Sequence, residues 1–212
     1  MQSGGEGEPG KLESGWLIAF EGIDGAGKTT QVDLLADALR EEGRVVHTTR
    51  EPTDGKYGSR IRQLSSQAAP LSLEEELDLF IEDRKEHIRE LIAPALARGE
   101  VVISDRYYLS SVAYQGARGL SPADLLARNE ALFPPPTAAV LLEVSADRGL
   151  DRVRTRGESR NLAYERVDFL TQVVEIYAGL DRPYLVRVPG DDPPAVVHEA
   201  VLRALAPLIR PR

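Results

Sequence analysis

Residues 22–29 read Gly-Ile-Asp-Gly-Ala-Gly-Lys-Thr and match the phosphate-loop pattern G-x-x-x-x-G-K-[ST] at every fixed position. A short apolar run ending at Glu21 precedes the motif, and a helical pattern with Val32, Leu35 and Leu39 on one face follows it. Glycines let the backbone wrap closely around phosphates, and the N-terminus of the helix adds partial positive charge. This order of strand, loop and helix therefore predicts a binding site for a nucleoside triphosphate.

The lysine and threonine that close the motif carry its chemistry. Lys28 is expected to reach the β- and γ-phosphates, and the hydroxyl of Thr29 to hold a magnesium ion. The predicted nucleotide-binding set comprises Gly22, Asp24, Gly25, Ala26, Gly27, Lys28, Thr29 and Thr30.

Five short apolar stretches alternate with helical patterns along the chain. They cover residues 16–21, 45–49, 101–104, 138–144 and 184–188. This alternation predicts an α/β fold in which helices flank a five-stranded parallel sheet and ligands bind at the carboxyl ends of the strands. Between the second and third strands, a capping box at Ser72 opens a helical pattern that continues to Leu91, and Pro94 is expected to break or kink it.

The chain is long enough for one well-buried domain. It has 212 residues, of which 42% are hydrophobic. Residues 1–14 are glycine-rich and polar, so we expect a flexible N-terminal extension followed by a single domain over residues 15–212. An arginine-dense segment lies at about residues 147–166 of that domain.

Charge and residue usage argue against several classes of protein. A net charge of −8 disfavours a broad grip on a nucleic-acid backbone. The absence of cysteine excludes disulfides and thiolate metal sites, and three scattered histidines show no metal-ligand spacing. Because no apolar run reaches the length of a membrane span and the N-terminus lacks a signal-peptide pattern, we expect a cytoplasmic protein with no membrane partner.

The phosphate loop is shared by several classes of protein, so further motifs must separate them. Neither Asn129 nor Asn161 begins the Asn-Lys-x-Asp motif of a GTPase, and the chain lacks the Leu-Ser-Gly-Gly-Gln motif of a transport ATPase. Four arginines follow strands or lie on helices that face the same sheet edge, and guanidinium groups bind phosphate bidentately. A second phosphorylated ligand would explain this set, which comprises Arg50, Arg62, Arg84 and Arg106.

Two pairs of residues at helical spacing are suited to contact a flat base. Phe80 and Arg84 are four residues apart, so that a ring and a guanidinium share one helix face. Ser111 and Gln115 have the same spacing and present a hydroxyl and an amide together.

At these positions the sequence resembles the thymidylate kinase family, of the bacterial type. The resemblance runs from residue 16 to about residue 190. It is carried by residues 20–31, Thr-Arg-Glu-Pro at 49–52, Leu-Phe-Ile-Glu-Asp-Arg at 79–84, Asp-Arg-Tyr to Tyr-Gln-Gly at 105–116 and the arginine-rich segment after Glu143. It implies a three-layer phosphate-loop nucleoside monophosphate kinase fold, transfer of the γ-phosphoryl group of ATP to dTMP with Mg2+, and a homodimer.

The resemblance also implies a role for particular residues. Arg106 and Arg50 would hold the acceptor phosphate, and Tyr114 and Asp24 would lie beside the sugar. Phe80 would stack on thymine, and the edge of that base would be read by Arg84, Ser111 and Gln115. The implied acceptor-binding set is Asp24, Arg50, Glu51, Arg62, Phe80, Arg84, Arg106, Ser111, Tyr114 and Gln115. The implied catalytic set is Lys28, Asp105, Arg106, Arg156 and Arg160, with the last two in a lid at about residues 147–166. Asp105 would reach the magnesium ion of Thr29 through water.

Two departures from the family pattern keep other functions open. Residues 53–57 read Thr-Asp-Gly-Lys-Tyr where the family has Gly-Gly-x-Pro-x, and Asn161 stands where a lid arginine is expected. The alternatives are a kinase for another nucleoside monophosphate or for a deoxynucleoside, and a nucleotide-binding regulatory protein without transferase activity.

Overall fold

The computed structural model describes residues 15–65, 72–155 and 163–209 of the chain. In this part of the chain five strands form one parallel sheet in the order β2-β3-β1-β4-β5. The strands are β1 Trp16–Glu21, β2 Val46–Arg50, β3 Val101–Asp105, β4 Ala138–Glu143 and β5 Leu185–Pro189. Each lies within one or two residues of its predicted bounds.

Helices flank this sheet, which confirms the predicted fold class. The described helices are α1 Lys28–Glu41, α2 Lys56–Ser65, α3 Leu73–His87, α4 Ala93–Ala97, α5 Tyr108–Ala117, α6 Pro122–Leu132, α7 Ala146–Arg154, α8 Ala163–Gly179 and α9 Pro194–Leu205. Within the described ranges, every helix is too short or too polar to cross a lipid bilayer.

The core is centred on β1, which is buried along its whole length and hydrogen-bonds to β3 on one side and β4 on the other. Continuous apolar runs are typical of parallel strands that are covered on both faces. The connection after β1 runs to β2 on one side of the sheet, whereas the connections after β3 and β4 run toward the other side. The carboxyl end of β1 is therefore the topological switch point of the sheet. The register pairs Phe20 of β1 with Asp105 of β3, so the residues that follow both strands lie side by side.

Two helical segments show features that the sequence pattern did not predict. Just before Pro94 the α-helix is interrupted by a π-helical turn, Ile88–Ile92, which joins α3 to α4, and Ala93 N donates to Ile88 O. Pro94 then lies in the first turn of α4, where a missing N–H is tolerated. The sequence analysis also missed α8, whose buried residues Leu170, Val173 and Tyr177 recur at helical spacing after the arginine-rich segment.

Candidate active site

The phosphate loop leaves the carboxyl end of β1 and enters α1 at Lys28, as the motif predicted. Gly27 caps the helix with φ 94°, a left-handed conformation that glycine adopts without a steric penalty. The loop packs directly against the backbone of α7: a Cβ atom added to Gly149 would lie 2.6 Å from Ile23 Cδ1 and 2.7 Å from Asp24 O. This close contact fixes the position of the loop. The other predicted nucleotide-binding residues lie on the loop or on the first turn of α1: Gly22, Gly25, Ala26, Thr29 and Thr30.

The Lys28 ammonium is buried beneath the loop, where Nζ donates to Ile23 O at 2.9 Å. Burial and repulsion from Arg106 lower the pKa of Lys28 to about 8, although the carboxylates of Asp105 and Asp24 partly oppose the shift. A polyphosphate in the loop would add negative charge beside this amine and favour its protonated form.

Thr29 and Asp105 meet at the edge of the sheet, because β3 lies next to β1. Thr29 Oγ1 donates to Asp105 Oδ2 at 2.6 Å. Mg2+ prefers oxygen ligands such as hydroxyl and carboxylate groups. It commonly binds few protein ligands and takes the others from substrate phosphates and water. Among the described residues no group of three or more His, Asp or Glu side chains forms a metal site of its own. The side-chain oxygens of Thr29 and Asp105 therefore fit a magnesium ion that is also bound by a phosphate chain.

Arg106 follows Asp105 and joins the loop to the helix α5. Its Nη1 donates to Gly22 O at 3.1 Å and to Ser110 Oγ at 3.0 Å. Its Nη2 donates to Asp24 Oδ1 at 2.7 Å and to Tyr114 Oη at 3.1 Å, and the guanidinium lies 4.8 Å from the centroid of the Tyr114 ring. One side chain thus contacts both the phosphate loop and the residues expected beside the acceptor.

The backbone of Arg106 is strained. Its φ of 77° lies in the left-handed region, which costs a residue other than glycine about 1–2 kcal/mol. Two contacts hold this conformation: Arg106 N donates to Phe20 O at 2.8 Å, and Ser104 Oγ donates to Arg106 O at 2.6 Å. The strain directs the guanidinium back across the end of β1.

Arg106 also acts on Asp24. Desolvation in the cleft would raise the pKa of this carboxyl, but the positive charges of Arg106 and Lys28 outweigh that effect and hold the pKa below its usual value. Asp24 is therefore ionised at neutral pH and stays paired with Arg106.

Glu21, the last residue of β1, is a fully buried carboxyl group behind Arg106 that the sequence analysis did not single out. Ser110 Oγ and Tyr177 Oη donate to its Oε2 at 2.5 and 3.1 Å, and Tyr107 N donates to its Oε1 at 3.0 Å. Burial raises the pKa of Glu21 to about 7, even though these donors and the charge of Arg106 oppose the shift. An acidic residue ending an otherwise apolar buried strand was the available signal.

A cavity of about 660 Å³ opens beside Arg106, which is within the size range of small-molecule sites. Most of the acceptor-binding residues implied by the resemblance line it: Asp24, Glu51, Phe80, Arg84, Arg106, Ser111, Tyr114 and Gln115. The sequence analysis missed other residues of its wall, among them Glu76, Arg118 and Phe169. Nothing in their spacing marked them, because they reach the cavity from three different helices or helix ends.

Arg84 is fixed in the wall of this cavity and is only 1% exposed. Its Nε donates to Glu51 Oε2 at 2.8 Å, Nη1 to Asn129 Oδ1 at 2.8 Å and Nη2 to Ser111 Oγ at 3.1 Å. His87 Nδ1 lies 3.0 Å from Glu51 Oε1 and carries the proton, since the carboxylate can only accept. Burial would raise the pKa of Glu51, but the charge of Arg84 and the hydrogen bond from His87 keep it below its usual value.

The other two arginines of the predicted clamp do not line the cavity. Arg50 Nη2 donates to Asp54 Oδ1 at 2.8 Å, and Arg62 Nη2 lies 2.9 Å from the same oxygen. Asp54 belongs to residues 53–57, where the sequence departs from the family pattern. Of the four arginines, Arg84 and Arg106 therefore share the cavity, while Arg50 and Arg62 meet on the adjacent loop.

Two arginines of the predicted lid connect distant segments instead. Arg152 Nη1 donates to Gly25 O at 3.3 Å and to Gly190 O at 3.0 Å, and Arg148 Nη1 lies 3.2 Å from Asp191 Oδ1. Arg152 thus connects the phosphate loop to the segment after β5, and Arg148 connects α7 to the same segment. No spacing in the sequence indicates these contacts, because the partners lie far away along the chain.

The predicted catalytic arginines of the lid, Arg156 and Arg160, lie outside the described residues, as does Asn161. Arg154 is the last residue of α7 and pairs with Asp151 at 3.2 Å. The predicted N-terminal extension, residues 1–14, also lies outside the described ranges.

Comparisons of this chain with a family model and with curated proteins identify the same family. The family model described as Thymidylate kinase matches residues 20–201. Three curated proteins, each named thymidylate kinase, are similar over most of their length. The one from Desulfotalea psychrophila is 45% identical over 172 residues, which cover 81% of this chain and 84% of that protein. The one from Xanthomonas campestris pv. campestris is 44% identical over 200 residues, which cover 92% of this chain and 87% of that protein. The one from Akkermansia muciniphila is 43% identical over 192 residues, which cover 91% of this chain and 92% of that protein.

The buried carboxyl of Glu21 should make stability depend on pH. Its pKa rises from 4.5 to about 7 on folding, so between these pH values the folded state keeps a proton that the unfolded chain has lost. The free energy of unfolding should therefore fall as pH rises through this window, by about 3 kcal/mol from this group alone. Glu21→Gln removes the titration and should lose less stability between pH 4.5 and pH 8 than the wild type, as measured by urea denaturation.

Glu74→Gln, at an exposed carboxylate on α3, is the matched control and should follow the wild-type profile. Parallel pH profiles for the wild type and Glu21→Gln would contradict the assignment of the raised pKa to Glu21.

Proposed function

Because the chain belongs to the thymidylate kinase family, we propose that it is an ATP-dependent nucleoside monophosphate kinase that transfers the γ-phosphoryl group of ATP to dTMP, giving dTDP and ADP for dTTP synthesis. The observation that carries this function is the position of Arg106, which contacts the phosphate loop at Gly22 O and also lines the base-sized cavity. Two nucleotides bound in the loop and in the cavity would therefore meet at one guanidinium group. No observation favours the alternatives of a different acceptor or a silent regulatory protein.

The acceptor dTMP occupies the cavity in this proposal. Its phosphate pairs with Arg106, which presents a planar fork suited to phosphate oxygens. Its base stacks on Phe80, and its deoxyribose lies against Asp24 and Tyr114, which are already linked to Arg106 by hydrogen bonds. Arg50, at the end of β2, and Arg62, on α2, both pair with Asp54, so binding the acceptor phosphate would compete with these ion pairs.

The donor ATP occupies the phosphate loop. Lys28 gives up its hydrogen bond to Ile23 O and contacts the β- and γ-phosphates, and Thr29 would hold Mg2+, with Asp105 acting through water. When bound, the ion neutralises charge on the phosphates. Arg152, which joins the loop to the segment after β5, and Arg148, which pairs with Asp191 of that segment, border the remainder of the donor nucleotide in this proposal.

Catalysis depends on positioning the two nucleotides and on neutralising the charge of the transferred phosphoryl group. The acceptor oxygen belongs to a monophosphate with a second pKa of about 6, so it is ionised at neutral pH without a general base. Arg106 holds the two anionic reactants in line against their mutual repulsion, and Lys28 offsets charge that develops on the transferred group. We assign Arg156 and Arg160 the same electrostatic role from the lid. A homodimer and a cytoplasmic location stay predictions of the sequence.

An acceptor screen tests the proposed function. With ATP as donor, ADP release should be fastest with dTMP, slower with dUMP and dCMP, and absent with thymidine, which lacks the phosphate that Arg106 binds. A clear preference for another nucleotide would replace the assigned acceptor, and ATP binding without acceptor-dependent ADP release would indicate a silent regulatory protein.

Arg106→Ala should lower kcat/KM for dTMP by about 10³-fold or more, because it removes the group that aligns both phosphates. The affinity for ATP should change much less, since Lys28 and the loop backbone remain. Arg128→Ala, at an exposed arginine paired with Asp78 on α3, is the control and should retain wild-type turnover. Near-normal turnover of Arg106→Ala would refute the assigned role.

The lowered pKa of Lys28 predicts that ATP binding weakens at alkaline pH. Below about pH 8 the amine of the free protein is charged, whereas above it ATP must bind with uptake of a proton. The Kd should therefore rise by up to about tenfold per pH unit above pH 8. Lys28→Met should bind more weakly without this rise, and Lys85→Met, at an exposed lysine, should follow the wild type. Calorimetric titrations from pH 7 to 9.5 measure the effect, and a flat wild-type profile would contradict it.

A further inference from the structure

The amide of Gln115 is buried with one atom lacking a partner. The side chain is 3% exposed, lies on α5 and lines the cavity. Its Nε2 donates to Glu76 Oε1 at 3.3 Å, whereas its Oε1 makes no hydrogen bond with any residue that the structure describes. A buried acceptor without a partner is destabilising, so this oxygen is suited to accept a hydrogen bond from a ligand in the cavity.

Glu76 fixes the orientation of the Gln115 amide. Its Oε2 accepts a hydrogen bond from Arg118 Nη1, and its Oε1 faces Gln115. A carboxylate paired with a guanidinium can only accept hydrogen bonds, so it requires the NH₂ end of the amide. The reverse orientation would place two oxygen acceptors against each other. Glu76 therefore holds the NH₂ end of the amide and leaves Oε1 as the end without a partner, in a residue that lines the cavity.

Local structure accounts for the position of this carboxylate. Ser72 and Glu75 form the capping box that starts α3, and Glu76 is the next residue. Phe80 lies one turn later on the same helix face and also lines the cavity. Acidic residues in a first helical turn also interact favourably with the helix dipole, but that interaction would not select one orientation of Gln115.

Arg84 supplies a donor in the same wall. Its Nε donates to Glu51, Nη1 to Asn129 and Nη2 to Ser111, and Nη2 also lies 2.7 Å from Glu51 Oε2. Nη1 carries two N–H groups and makes one hydrogen bond with a described residue, so its second N–H can donate to a ligand. Ser111 and Gln115 are one turn apart on α5, so the wall presents a donor from Arg84 and an acceptor from Gln115.

The hydrogen-bond donor of Arg84 and the acceptor of Gln115 together match one edge of a pyrimidine base. A 4-oxopyrimidine offers its O4 as acceptor and its N3–H as donor, which complements Arg84 and Gln115. A 4-aminopyrimidine offers the reverse pattern, with an amino donor and an N3 acceptor. The lone pair of its N3 would face Gln115 Oε1, and its amino group would face the guanidinium.

We propose that Glu76 is a positioning residue that sets base specificity, because it holds the carbonyl of Gln115 toward the cavity to accept a hydrogen bond from the N3–H of a 4-oxopyrimidine. The inference rests on the proposed function, since dTMP is the acceptor that carries this edge. It assigns discrimination to a side chain that need not touch the base.

The test compares dTMP with 5-methyl-dCMP, which differs only at the 4-position and in the N3 proton. The wild type should prefer dTMP strongly. In Glu76→Gln the residue at position 76 can donate as well as accept, so Gln115 is free to turn. The preference, expressed as the ratio of the two kcat/KM values, should fall at least about tenfold, which corresponds to the loss of one oriented hydrogen bond. Kd values from calorimetry report the same ratio if turnover is low.

Two further variants separate specificity from structure. Glu82→Gln, on the same helix, loses an exposed ion pair with Lys85 and should keep the wild-type ratio. Gln115→Met should lower the ratio by itself, and adding Glu76→Gln to it should produce no further change. An unchanged ratio in Glu76→Gln, or an equal drop in the Gln115→Met background, overturns the role of Glu76 while the kinase function stands. Failure of the wild type to phosphorylate dTMP overturns the proposed function and this inference together.

Discussion

A buried guanidinium held at the end of the central strand is the interaction on which the rest of the site depends. Arg106 hydrogen-bonds to the phosphate loop at Gly22 O and to Asp24 Oδ1, and its charge opposes the effect of burial on the pKa of Glu21. The same charge lowers the pKa of Lys28. Three ionisable groups, Asp24, Glu21 and Lys28, are thus coupled through one side chain, and a backbone conformation that costs about 1–2 kcal/mol keeps it in place.

Sheet topology explains why these groups meet. The carboxyl ends of β1 and β3 are neighbours because β1 is central, so Thr29 and Asp105 come within 2.6 Å although 76 residues separate them. The close backbone contact between the phosphate loop and Gly149 of α7 adds a third segment to the same edge. Any substitution that moved one of these segments would displace the donor site and the acceptor cavity together.

The sequence predicted what is encoded locally. The phosphate loop has a fixed spacing, and the strand pattern placed Asp105 at the edge where Lys28 also lies. The rest depends on partners that no spacing reveals. Arg50 and Arg84 looked equivalent in the sequence, yet Arg50 is an exposed residue paired with a loop carboxylate, whereas Arg84 is buried in the cavity wall. Glu76 resembled an ordinary acidic residue of a first helical turn, and only the packing of α3 against α5 brings it to Gln115.

Glu21 and Glu76 act in the same way on the side chains of the site. Each is a carboxyl group behind a side chain that faces the ligand, and each restricts the orientation of that side chain. Glu21 holds Ser110, which in turn accepts from Arg106, so the guanidinium keeps one direction. Glu76 holds the NH₂ of Gln115, so the carbonyl keeps one direction. An arginine or an amide on its own can adopt several orientations and discriminates weakly. Specificity in such a site arises from the fixed carboxylates behind the contacting groups, since these make the alternative orientations costly before any ligand binds.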